Sequence, residues 1–475
     1  MSAPDQATRR EHDLLGWREV PAYVYWGVHT LRATENFGIT HVPIAAFTPL
    51  IAALAAIKQA AARTNTDLGL IDPALSEAIC AACDEVMGGA LHQEFVVDAI
   101  QGGAGTSTNM NANEVIANRA LELLGYAKGD YARLHPNEHV NLSQSTNDVY
   151  PTAIKLATWV YAQGLMAEME RLRTGFEAKA HEFADILKIG RTQLQDAVPM
   201  TLGQEFSTYA VMLGEDIEVV RHAVDMMREI NLGATAIGTG ITTHPDYTPM
   251  VCAQLSAITG IELMTAPNLV ESTQDCGAFV QLSGVLKRVA VKLSKVCNDL
   301  RLLSSGPRAG FNEINLPPRQ AGSSIMPGKV NPVIPEVVNQ IAFEVIGNDV
   351  TITMAAEAGQ LQLNAFEPII AYALFKSIVH LQNGMATLTE HCVKGITANA
   401  ELLRGQVKRS ISIVTALNPY IGYEEATDVA AEALASGADV YDIVLERGLL
   451  SHAQLDEIMK PENLTRPVRK LEWKR

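Results

Sequence analysis

What most limits the possible folds of this 475-residue chain is a pair of long apolar stripes that advance in alternating steps of four and three. The first runs through Phe206, Ala210, Leu213, Ile217, Val220, Val224 and Met227. The second runs through Phe279, Leu282, Leu286, Val289, Leu293, Val296, Leu300 and Leu303. This rhythm keeps one face of a helix apolar over many turns and packs helices nearly parallel in a bundle. Met212, Val219, Ala223, Met226 and Ile230 add a second stripe to the first of these helices. A helix apolar on two sides needs neighbours on two sides, which predicts a homo-oligomer whose central helices pack together.

The low aromatic content, 6%, with Ala, Leu, Val and Ile carrying the apolar residues, suits helix-on-helix packing better than a β-sandwich. The expected class is therefore mainly all-α. Three segments are expected: a mixed, mainly helical domain over 1–146, a long-helix bundle domain over 147–401, and a small helical domain over 402–475. The last ends in the basic tail RPVRKLEWKR, read as a solvated end.

Charge and cysteine usage narrow the function classes. Lys plus Arg number 37 against 53 Asp plus Glu, and 37 − 53 gives −16, which argues against nucleic acid or an anionic membrane as the main partner. No apolar run reaches the roughly 18–20 residues needed to span a bilayer, and the start MSAPDQATRREHD lacks the apolar core of a signal peptide. Six cysteines imply no disulfide framework, and a reducing cytoplasm is expected. Cys80 and Cys83 form a CxxC within the helix-like SEAICAACDEVM and read as free buried thiols.

Three motifs resemble sites without having the chemistry. HPNEH (135–139) has the H-x-x-E-H spacing of a zinc peptidase, but Pro136 and Asn137 favour a turn or helix start over a continuous helix face. His135 and His139 are read as local structural residues or as polar lining of a nearby site. GSSIMPGKV (322–330) has five residues between its glycines where a phosphate loop has four, and Val330 replaces the Mg²⁺-binding hydroxyl. GATAIGTG (233–240) follows a long helix and reads as a tight terminating turn.

Four uncharged clusters dense in hydroxyls and amides remain: GGAGTSTNMNANE (102–114), LSQSTND (142–148), GRTQLQD (190–196) and AGSSIMPGKVNP (321–332). Each adjoins a long helical pattern. Ser145, Thr146 and Asn147 precede a helix that begins near Asp148, with Pro151 close to its start. Singly such residues are N-caps. Several helix ends converging would bind a small dicarboxylate through neutral donors, with Lys329 as the one obvious cation. Such a cluster can stabilise a carboxylate that gains a second negative charge when a neighbouring C–H is deprotonated, one donor being worth roughly 3–4 kcal/mol. That chemistry is proton abstraction beside a carboxylate followed by loss of a β-substituent. The glycines and prolines around Ser323 and Ser324 make a loop able to close over a substrate, and exclusion of water with local donors would make a serine a plausible base.

GSSIMPGKVNP resembles the signature loop of the aspartase/fumarase superfamily. GVHTLRATENF, QGGAGTSTNMNANE, QSTNDVYPT, GRTQLQDAVPMTLGQEF and MAAEAGQLQLN extend the resemblance over nearly the whole chain. NEINLPPRQAGSS and MAAEAGQLQLN resemble the aspartase branch more than the class II fumarases, and Gln193 follows Thr192 where fumarases, and some aspartases, carry His. The resemblance implies Ser323 as the general base taking a Cβ proton from L-aspartate to form an enediolate. Thr106, Ser145, Thr146 and Ser324 would hold the β-carboxylate. Lys329, Thr192 and Asn331 would bind the α-carboxylate, and Asn147 with Gln193 the amino group that leaves as ammonia. Met326 is implied among the substrate-binding residues. A homotetrameric bundle with sites shared between subunits is implied, and no obligatory cofactor or metal. PAYVYWG (21–27) departs from the family's usual PADAYYG-like segment, so the region near Arg32 is expected to differ. A class II fumarase using L-malate is the alternative enzyme, and a non-catalytic helical oligomer the alternative of another kind.

Overall fold

Every residue of both stripes is buried in the computed structural model, which describes residues 7–465 and Pro467. The stripes lie on two of five long helices: Thr146–Glu182, Leu202–Asp225, Gly277–Leu303, Val333–Glu357 and Glu367–His391. Leu202–Asp225 starts where Thr201 and Gln204 close a reciprocal cap. Thr201 Oγ1 accepts from Gln204 N and Gln204 Oε1 accepts from Thr201 N, both at 3.0 Å. This helix ends earlier than its stripes: Met226–Arg228 form a single 3-10 turn and Glu229–Ile230 a short strand. On the additional stripe of this helix Ala223 and Ile230 are buried, Met212 and Val219 half-buried, and Met226 exposed.

The chain forms two compact units. The first comprises the described part of Met1–Met166 with Glu218–Ala290 and Phe343–Leu381. In it Thr48–Asp67 packs on Pro73–Met87, whose start is fixed by Asp72 accepting from Ala74 N at 2.8 Å and by Pro73 in the first turn. Cys80 and Cys83 lie on Pro73–Met87 as free thiols, and burial raises the pKa of both. A β-hairpin, Thr8–Asp13 with Gly16–Pro21, opens the described chain. Its strands are too polar to alternate in hydropathy, so the sequence gives no strand signal there.

The second unit comprises Ala167–Ile217, Val291–Ala342 and Gln382–Arg475 as far as it is described. Its short C-terminal helices bury Leu417, Val429, Val440, Val444 and Leu455 together with Ile189 of a second hairpin, Leu187–Thr192 with Gln195–Thr201. That packing seats the hairpin whose turn carries Thr192 and Gln193. A two-residue pair, Ile314–Asn315 with Thr397–Ala398, precedes the 316–336 loop. All β structure among the described residues consists of two-stranded sheets and isolated bridges, so the class is mainly all-α, as expected from the sequence. No helix among the described residues is long and apolar enough to cross a membrane. The basic tail beyond Pro467 and the first six residues lie outside the described part.

Candidate active site

In the first unit two helix N-termini meet. Gly105 precedes Thr106–Leu123 with φ +88°, and a Cβ there would fall 2.2 Å from the Tyr150 ring, so only glycine permits the approach. Thr106 Oγ1 donates to Gly103 O at 2.8 Å. Ser145 caps Thr146–Glu182: its Oγ accepts from Asn147 N at 3.3 Å, while Asp148 Oδ1 accepts from Ser145 N at 3.0 Å. The N-cap expectation therefore holds for Ser145. Asn109 joins the two ends, its Nδ2 donating to Thr146 Oγ1 at 3.1 Å.

Beneath them sits Lys58, fully buried in an alanine-rich helix. Its Nζ donates to Asn109 Oδ1 (2.7 Å), Asn141 Oδ1 (2.8 Å) and Gln144 Oε1 (2.9 Å). Burial brings its pKa down to about 7. Asp148 Oδ2 accepts from Gly233 N (3.1 Å) and Thr235 N (2.8 Å), and Asn147 Nδ2 donates to Ala236 O at 2.7 Å. Burial pushes Asp148 up to about 6, against the pull of these backbone donors and of Lys58. GATAIGTG is indeed a turn, and it is also the clamp on the Asn147–Asp148 segment. The result is a pair of helix ends with hydroxyl and amide groups held in place, the arrangement that favours an anion.

The other candidate residues belong to the second unit. Thr192 and Gln193 stand at the tip of the second hairpin, both exposed. Gln193 (φ +53°) and Leu194 (φ +63°) adopt left-handed backbone that neither side chain favours. Further on, Ser323 Oγ accepts from Ile325 N at 3.1 Å and from Met326 N at 2.9 Å. Two amide donors on one serine oxygen favour its deprotonated form. Gly322 N donates to Lys329 O at 2.7 Å and Asn331 Nδ2 to Gly322 O at 2.8 Å, which closes the neck of the loop. A Cβ on Gly322 would meet Lys329 O at 2.7 Å. Ser324, Met326 and Lys329 are exposed. Lys329 and Asn331 also line a cavity of about 770 Å³ with Arg301, Asn312, Asn315 and Glu336.

The structure thus places Thr106, Ser145, Thr146 and Asn147 together in one unit, and Thr192, Gln193, Ser323, Ser324, Met326, Lys329 and Asn331 in the other. Non-glycine residues with positive φ lie within the clusters, at Ala104, Ser143, Gln193 and Leu194, and at the foot of the loop, at Asn312. HPNEH forms one π-helical turn in which His135 Nδ1 accepts from Asn137 N (3.0 Å) and Glu138 N (3.3 Å), and His139 Nδ1 from His135 N (2.8 Å). Both rings thus serve as local caps. Sequence reasoning missed Lys58, Asn109 and Asp148. A lone cation inside LIAALAAIKQAAA was a signal available for Lys58; Asn109 and Asp148 carry none beyond their cluster.

A family model described as Lyase matches residues 16–347, and one described as Fumarase C C-terminus matches residues 413–466. The class is therefore a lyase. A relative named aspartate ammonia-lyase, from Helicobacter pylori, is 59% identical over 97% of this chain and 98% of its own. The solved fumarate lyase:delta crystallin from Brucella melitensis is 54% identical, covers 97% of this chain and 100% of its own, and superposes with a TM-score of 0.95. A class II fumarase from Schistosoma mansoni is 35% identical, with a TM-score of 0.90 over 96% of this chain and 98% of its own. The chain belongs to the aspartase/fumarase superfamily.

Proposed function

We propose that the protein is an aspartate ammonia-lyase, catalysing the reversible conversion of L-aspartate to fumarate and ammonia. The 59% identity to a relative of that name, against 35% to a class II fumarase, supports the substrate. Ser323 takes the Cβ proton as an alkoxide held by the amides of Ile325 and Met326, and these two donors are the observation that carries its assignment. The C–H electron pair moves into the β-carboxylate to give an enediolate dianion, held by Thr106, Ser145, Thr146 and Ser324. Collapse of the dianion forms the double bond and breaks the Cα–N bond, so the α-ammonium departs as neutral ammonia. Lys329, Thr192 and Asn331 grip the α-carboxylate, Asn147 and Gln193 the amine, and Met326 lines the site. No step needs a metal or cofactor.

The working form is a cytoplasmic homotetramer whose sites are each completed by several subunits, with the chain divided as 1–146, 147–401 and 402–475. Support for the oligomer comes from Val333–Glu357, where Phe343, Val350 and Met354 stand at helical spacing and are each about 60% exposed. An uncharged, exposed stripe on a long helix fits burial against further helices.

An ultraviolet assay for fumarate decides the substrate. L-aspartate is expected to be consumed and L-malate not; the reverse result makes the protein a fumarase.

A further inference from the structure

The turn bearing Thr192 and the stem of the 316–336 loop are joined by a buried charge cluster in the second unit. Lys188 Nζ lies 2.6 Å from Glu205 Oε2 and 2.6 Å from Glu313 Oε2, and Arg191 Nη1 pairs with Glu313 Oε1. The side chains of Lys188 and Glu313 are 2% and 0% exposed. The Lys188–Glu313 contact is an ion pair without hydrogen-bond alignment, since Glu313 Oε2 meets no aligned donor among the described residues. Arg191 also lies over the Phe311 ring, 4.2 Å from its centroid. Two cations and two carboxylates balance the cluster.

Its place in the chain gives it meaning. Lys188 and Arg191 are three apart on one strand, and a regular pleat would send them to opposite faces. The pairing with Gln195–Thr201 breaks between them, with the register shifting between Ile189 and Arg191, and Gly190 sits at the break. Both cations reach the same carboxylate. Such irregularities re-aim side chains and concentrate beside functional sites. Thr192 is the residue after Arg191. On the other side, Glu313 is held at the loop's foot by its own backbone: its N donates to Leu303 O and its O accepts from Asn399 N, both at 2.9 Å. The strand Ile314–Asn315 and then the loop follow directly.

Burying Lys188 and Glu313, with Arg191 and Glu205 half-buried beside them, is a poor way to gain stability alone, because desolvation offsets much of the attraction. It is a good way to fix two segments at one spacing, since each pair fails if either partner shifts. We propose that Lys188, Arg191 and Glu313 are positioning residues that set the Thr192–Gln193 turn against the stem of the loop carrying Ser323 and Lys329. The inference rests on the α-carboxylate reading of Thr192 and Lys329. The cluster touches no reacting atom; it acts through the residues it places.

Two variants test it, each read by kinetics with L-aspartate, thermal unfolding and hydrogen exchange over 187–196 and 311–336. Glu313→Gln leaves buried Lys188 and half-buried Arg191 short of an anion. It is expected to speed exchange in both segments and to lower kcat/KM by roughly tenfold to a hundredfold, mostly through KM. Arg191→Lys keeps the charge but loses the planar fork. It is expected to keep the unfolding temperature near wild type while raising KM about tenfold, and it carries the test if Glu313→Gln does not fold. Lowered stability with wild-type KM in the folded fraction of either variant would make the cluster merely structural and overturn the proposal. If the wild-type protein does not turn over L-aspartate, the functional reading fails instead. Faster exchange confined to one of the two segments also overturns the positioning proposal.

Discussion

The two groups of candidate residues are built in opposite ways. The helix ends around Thr106 and Ser145–Asn147 are tied to buried partners: Asn109 holds Thr146, Lys58 holds Asn109, and Asp148 clamps the GATAIGTG turn. The loop bearing Ser323 and Lys329 is tied largely to itself through Gly322, Asn331 and the amides after Ser323, and Ile325 is 84% exposed. Arg319 fastens its stem through the carbonyls of Glu390 and His391. One group is fixed by buried hydrogen-bond partners, as charge stabilisation requires. The other is held mostly by bonds within itself, the construction expected of a lid that delivers a base. The proposed function therefore puts most partners of the β-carboxylate on the scaffold, and Ser324 together with the base Ser323 on the loop.

If that division holds, damage to the loop should cost turnover and spare stability, while damage to the helix ends should cost both. The largest effect is expected from Ser323→Ala, a fall in kcat of about 10²–10⁴-fold with KM, unfolding temperature and particle size little changed. Wild-type-like turnover in that variant would remove Ser323 as the base. Lys329→Met should chiefly raise KM for L-aspartate, by roughly tenfold or more, as expected for a lost charged contact. A comparable loss in kcat with KM unmoved would assign the lysine to the transition state alone.

Asn109→Ala attacks the rigid side. It leaves Thr146 without its donor and Lys58 with one acceptor fewer, and should cost about 1–3 kcal/mol of stability together with some affinity. Unaltered unfolding in that variant would erase the contrast between the two groups. The smallest effect concerns Glu367, whose carboxyl burial pushes up to about 8. A carboxyl raised in the folded state is protonated there more than in the unfolded chain. Its contribution is therefore present below the ordinary carboxylate pKa and lost as pH climbs toward 8. Glu367→Gln should flatten the decline in unfolding temperature between about pH 5 and pH 8. An identical slope in both proteins would mean that the group titrates normally.

The same contrast explains what was readable in the sequence. The stripes through Phe206–Met227 and Phe279–Leu303 were plain because burial repeats with the helix period, and all their residues are buried. The four polar clusters stood out because hydroxyls and amides without charges are unusual beside such helices. Lys58, Asp148, Lys188 and Glu313 did not stand out in function, since each acts through partners far along the chain, as in the contact of Lys58 with Gln144. The N-terminal hairpin was hidden by its polar strands, and the division of site residues between two units was invisible in a linear order.

The turn at Gln193 and Leu194 has one more consequence. A two-residue hairpin with both φ values positive is the geometry in which Asn-Gly is at ease. Anyone engineering this chain for heat tolerance, guided by backbone preference, would write Asn-Gly at those two positions. The same edit would erase Gln193, the side chain proposed to meet the departing amine. The position most open to improvement as architecture is therefore among the least open to it as chemistry.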